Sequence, residues 1–300
     1  NFYFYDDIIN RIDYLGGLSK NHDRLFSSKY YNFAPPIDFD KFINYQNYYN
    51  TYVPYNSKAS NEANIHGSKD DLMKKLNYAV IFWAVTVAHL FCIYMDWPQQ
   101  RVYTKFILVP ILMWYLYTSP ADNNPLKGMW RAYLGLFFSW VGDVLLIGEG
   151  ANFFLSGMIA FVTAHVYYSL FSVQTVPVKK ETARVFYKTL IGLSIISGLL
   201  FILLRNALGA YQVPILLYML FISLMASLAV HTTTNMHYKK FALQTFVPGA
   251  LLFVISDAIL ATNKFYAHLP VLDLAVMLTY AGAQYFLTKG FISIKKVSHP

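Results

Sequence analysis

Charge is scarce in this chain of 300 residues: 13% of it is Asp, Glu, Lys or Arg, against 56% apolar and 18% aromatic. That balance excludes an ordinary soluble domain. Cysteine is nearly missing. Cys92 stands alone in an apolar run, so an internal disulfide and a multi-cysteine metal site are excluded, and a buried or lipid-facing thiol is its simplest reading. The start of the sequence has no basic segment followed by an apolar core, so no cleavable signal peptide is expected. No P-loop, dinucleotide fingerprint, serine nucleophile elbow or zinc-ligand cluster occurs, and no cofactor or metal is expected.

What charge there is divides unevenly. Residues 1–76 hold nine Lys/Arg and nine Asp/Glu, while residues 77–300 hold fifteen against seven and so carry the whole net charge of +8. Those cations lie in short loops between apolar runs, which is how positive-inside sorting distributes them; nucleic acid is not an expected partner. Residues 1–60 are rich in Tyr and Asn, as in "INYQNYYNTYVPYN", with no sustained period of 3.6 or 2. We read 1–76 as a low-complexity extension and 77–300 as the membrane domain that carries the function.

Eight apolar segments follow, over about 77–95, 102–118, 129–148, 152–172, 187–205, 213–230, 241–261 and 271–291. Each has roughly the 17–21 residues that cross a hydrocarbon layer as a helix. Their apolar residues run continuously instead of alternating, which favours helices over barrel strands. The expected fold is all-α: a polytopic membrane protein of eight transmembrane helices. Fourteen Lys/Arg fall on the side shared by both termini, and four (Arg101, Lys105, Arg205 and Lys264) fall on the other. The bias places both termini in the cytosol.

Two aspartates interrupt this apolar sequence, Asp143 in "YLGLFFSWVGDVLL" and Asp257 in "VPGALLFVISDAILA". A carboxylate in hydrocarbon costs about 3 kcal/mol even on lenient insertion scales, so its presence calls for a reason. Aligned at an offset of 114 residues, the two segments also pair Gly135 with Gly249 and small Gly142 with small Ser256. Both run outward from the cytosol and place their aspartates at one depth, as expected of two four-helix parallel repeats. Two carboxyls reachable by one ligand suit acid–base chemistry, one donating a proton while the other stabilises a developing cation. The bland alternative is a pair of packing carboxyls bonded to Ser139, Ser256 or backbone.

Other polar side chains are candidates for support. His165 shares a helix face with Phe161, Tyr168 and Phe171, but by position it falls nearer the cytosolic end than the aspartates do. Lys105 could pair with an aspartate or a lipid phosphate, or simply snorkel. Tyr280 and Gln284, one turn apart, could orient a headgroup or water, or only pack helices. His89 and Asp273 are weaker candidates; an acid near a helix start is already explained by the helix dipole.

The succession of Lys105, "GLFFSWVGDVLL", Phe154, Gly157, Phe161, His165, Tyr168, Phe171, "PGALLFVISDAILATNKF" and "YAGAQ" resembles the YhhN-like lysoplasmalogenase family of eight-span membrane proteins. The resemblance covers about residues 78–290. It implies an integral membrane hydrolase of the endoplasmic reticulum that cleaves the vinyl ether bond of lysoplasmalogens, lysophospholipids, to a fatty aldehyde and glycerophosphoethanolamine or glycerophosphocholine. Family lysines are often followed by proline, whereas Phe106 follows Lys105 here. Rival classes are a proton-coupled membrane transporter and a non-catalytic lipid-binding protein, since intramembrane carboxylates also mark transport.

Overall fold

The computed structural model describes residues 78–120 and 128–296. The extension expected over 1–76 lies outside the described residues. The described chain is helical, with no strand: α1 Tyr78–Tyr94, α2 Pro98–Thr118, α3 Trp130–Leu145, α4 Ala151–Thr175, α5 Ala183–Leu208, α6 Gln212–His231, α7 Lys239–Gln244, α8 Phe246–Thr262 and α9 Pro270–Lys295. Every expected apolar segment is a helix, the seventh being broken into short α7 and longer α8.

Among the described residues, four helical stretches are long and apolar enough to cross a membrane: Ala151–Thr175, Ala183–Thr234, Lys239–Ala267 and Pro270–Lys295. The second is 52 residues long and folds back on itself, since α5 and α6 pack against each other. The reversal sits at Gly209, whose φ of 50° and ψ of −121° form a combination that residues with a Cβ avoid. Outward-facing apolar side chains such as Ile195, Leu199, Ile202 and Leu203 on α5 are each about 60% exposed (59%, 64%, 62% and 61%), the surface of an integral membrane protein rather than a soluble one.

Several helix contacts come in pairs along the chain. The α3·α4 contact is matched by α8·α9, α2·α3 by α6·α8, and α4·α6 by α9·α2. The close approaches rest on small residues. A Cβ on Gly135 would run into the Tyr168 ring of α4, and one on Gly249 would stand 2.9 Å from the Leu287 backbone nitrogen of α9. Glycines at matching places thus let each helix pair approach closely.

A proline fixes the α2·α3 contact. Pro110 lies inside α2 and has no N–H to give the carbonyl one turn back, at Phe106. The Trp140 indole of α3 donates to that carbonyl at 2.9 Å, and its ring packs edge-on against Phe106 with centroids 5.0 Å apart. The orphaned carbonyl therefore becomes an anchor between helices, one residue from Lys105.

Candidate functional site

Asp143 comes from the last turn of α3 and Asp257 from the last two turns of α8. Both line one cavity of about 130 Å³, whose wall is otherwise mostly apolar, with Phe161, Leu200, Met219 and Val254 among its members. Asp143 accepts a hydrogen bond from the Tyr280 hydroxyl at 2.6 Å and has the Lys105 ammonium 3.7 Å from its other oxygen. Asp257 accepts from the Tyr218 hydroxyl at 2.5 Å, and His165 Nε2 lies 3.8 Å from the same carboxyl oxygen. His165 Nε2 is also 3.2 Å from the Tyr218 hydroxyl.

The two partner sets correspond. Lys105 on α2 and Tyr218 on α6 are 113 positions apart, one short of the 114 that relates the aspartates. Tyr280 on α9 and His165 on α4 are 115 apart, one beyond it. Asp143 is thus met by α2 and α9, and Asp257 by α6 and α4. The chemistry of the partners differs: an ammonium and a phenol meet Asp143, a phenol and an imidazole meet Asp257. Asp143 retains 4% of its side-chain exposure and Asp257 16%, so a charge on either is little relieved by bulk water, and the partners must supply most of that compensation.

A polar chain extends behind Asp143. Gln284 donates to the Tyr280 hydroxyl at 3.1 Å and accepts from the Tyr168 hydroxyl at 3.1 Å, and Ser139 lies 3.3 Å from Tyr168. All of these are buried. Because the amide occupies one phenol as acceptor and the other as donor, it sets the direction in which Tyr280 points its proton, toward Asp143.

His165 is fully buried, and its Nδ1 has no hydrogen-bond partner among the described residues. A proton there would be buried without an acceptor, so the neutral ring carries its hydrogen on Nε2, facing Tyr218 and Asp257. By position along its span His165 falls nearer the cytosolic end than the aspartates do. The ring nonetheless reaches the Asp257 carboxyl, and it stacks edge-on against Phe253 of α8 with ring centroids 4.8 Å apart.

The serines take other partners. Ser256 donates to the Val276 carbonyl of α9 at 3.0 Å, and Ser139 meets Tyr168, so the aspartates are bonded to phenols and not to their neighbouring hydroxyls. Tyr218 was not singled out from sequence. Its signal was a phenol in the apolar run "ILLYMLF", 113 positions from Lys105 and so within one of the offset that relates the aspartates.

A second cavity of about 550 Å³ adjoins the first and shares Lys105, Leu146, Phe154, Leu260, Val276 and Met277 with it. Its lining is polar: Arg101, Lys105, Lys264, His89, Glu149 and Asp273 all contribute. His89 Nδ1 is 2.6 Å from the Thr104 hydroxyl. Asp273, in the first turn of α9, accepts from the Asn263 amide at 2.9 Å. Among the described residues, no three His, Cys, Asp or Glu side chains gather closely enough to hold a metal ion.

The family model described as the YhhN family matches residues 100–291. Among curated proteins, human lysoplasmalogenase TMEM86A is 32% identical over 160 residues, covering 51% of this chain and 62% of that protein. Bovine lysoplasmalogenase TMEM86A is 30% identical over 160 residues, with the same shares covered. The chain therefore matches less than two thirds of the length of these relatives. No solved structure matches it.

Proposed function

Since the chain belongs to the YhhN family, we propose that it hydrolyses the vinyl ether bond of lysoplasmalogens with Asp143 and Asp257 as the reacting pair. The observation that carries this reading is the convergence of two repeat-related carboxyls, each bonded to a buried phenol, on one apolar cavity. Relatives named lysoplasmalogenase support the substrate class.

The reaction needs an acid, an anion and a water. One carboxyl, protonated, gives its proton to the β-carbon of the enol ether, and the double-bond electrons form the new C–H bond. The cation left on the α-carbon is shared with the ether oxygen and stabilised by the other carboxylate. Water adds to that carbon and loses its proton to a carboxylate. The hemiacetal then breaks its bond to the glycerol oxygen, giving a fatty aldehyde and a free glycerol hydroxyl. The apolar wall excludes competing water and strengthens each electrostatic contact. Lys105 positions Asp143, while Tyr218 and His165 position Asp257.

In this reading all eight long helices, α1–α6, α8 and α9, span the membrane as two parallel four-helix repeats, which the matched helix contacts support. Both termini face the cytosol, and the residence is the endoplasmic reticulum. The decisive experiment is incubation of the protein, purified in a maltoside detergent, with a lysoplasmalogen. A hydrolase releases aldehyde with no sealed compartment; a transporter or lipid-binding protein releases none, and that result would sink the proposal.

A further inference from the structure

We propose that the polar cavity beside the carboxyl pair is a phosphodiester site, formed by Arg101, Lys105 and Lys264, that holds the headgroup of a zwitterionic lysophospholipid. The inference rests on the lipid reading above for its choice of ligand. Its own support comes from where the cations lie. The sparsely charged side of the chain has four Lys/Arg, and three of them line this one cavity. Positive-inside sorting disfavours cations on that side and gives no reason for those that occur to converge.

Among the described residues, two of the three have no counter-ion. Among the described residues no carboxylate lies within ion-pair distance of Arg101 or Lys264; the Lys264 ammonium instead rests 4.4 Å from the centroid of the Phe154 ring. The five-residue π-helical turn Asn263–Ala267 presents it, and Asn263 braces that turn by accepting from the Leu269 N–H at 2.7 Å while donating to Asp273. The lining acids are Asp273, so engaged, and exposed Glu149. Three Lys/Arg against two acids suit a headgroup carrying both signs better than a multiply charged anion.

Lys105 joins the two cavities. Its ammonium faces Asp143 on one side and the polar cavity on the other. In a lysoplasmalogen the vinyl ether and phosphate are held apart only by the three glycerol carbons. A phosphate engaged by Lys105 and Arg101 would thus leave the ether oxygen beside Asp143 and the alkenyl chain in the apolar cavity. Lys105 is a positioning residue for both ends of the substrate.

The test is binding without turnover. Affinity for a saturated alkyl-ether lysophosphocholine, which has no bond to cleave, is measured on maltoside-purified protein and compared with the matching alkylglycerol, glycerophosphocholine and inorganic phosphate. Arg101→Gln and Lys264→Gln should each weaken the phospholipid by about tenfold, the loss of one charge-assisted contact, and leave the alkylglycerol unchanged. Unchanged alkylglycerol binding also certifies that the variants are folded. In the unmodified protein, phospholipid affinity should fall with added salt while alkylglycerol affinity should not. Inorganic phosphate binding as tightly as the phospholipid would make this a free-phosphate site and overturn the headgroup assignment. Phospholipid affinity in both variants unchanged from that of the unmodified protein, or no salt dependence, would overturn the site altogether. These outcomes are read from binding alone, so missing aldehyde release refutes the hydrolase and leaves the anion site to stand or fall separately.

Discussion

At the scale of single residues, the account turns on two carboxyls whose surroundings are related but unequal. Replacing either with Asn keeps size and hydrogen bonding while removing the transferable proton. Asp143→Asn and Asp257→Asn should each abolish aldehyde release while the protein still inserts and purifies normally; near-wild-type turnover in either would return that aspartate to a packing role. Tyr218→Phe removes the strongest bond to Asp257 and should lower kcat by about 10- to 100-fold, the worth of a hydrogen bond to a charged group. His165→Ala should cost about tenfold, since its contact with Asp257 is longer. A Tyr218→Phe enzyme faster than His165→Ala would reverse the order of support proposed here. The aspartates were legible because carboxyls in hydrocarbon are conspicuous. Tyr218 was not, because a phenol in a membrane helix is ordinary until its hydroxyl is seen to face a carboxyl.

At the scale of elements, continuous apolar runs were enough to place the helices, because a run of that length without alternation admits no other satisfied backbone. Their angles were not legible. The approach of His165 to Asp257 depends on side-chain packing between helices, which counting residues along one span does not register. The break between α7 and α8 is likewise local geometry: Thr245 has φ −133° and ψ −68°, a departure that hydropathy does not register. One link between helices can be tested by exchange. Trp140→Phe keeps an aromatic ring but strands the Phe106 carbonyl freed by Pro110, and should lower stability by about 1 kcal/mol or more in detergent unfolding. Adding Pro110→Ala restores an N–H for that carbonyl and should recover most of the loss. If the double variant is as unstable as the sum of the two single changes, the carbonyl is not what joins α2 to α3.

At the scale of the whole molecule, we propose one four-helix unit used twice, with each unit's aspartate completed by a helix of the other. The offset of 114 was visible in the aspartate segments; the matched contacts and crossed partner sets emerge only in three dimensions. Charge counting sets the proposed orientation. Tags after Ser60 and after Pro300 should both be digested by protease added to intact microsomes, and protection of either would break the parallel placement of the two repeats. The central claim, proton transfer to carbon by the aspartate pair, is tested most directly by turnover in heavy water. The product aldehyde, trapped at early times before exchange, should carry one solvent deuterium on the carbon next to the carbonyl, and the matching saturated ether lipid should remain uncleaved. Aldehyde formed early without that deuterium, or cleavage of the saturated ether, would contradict the account.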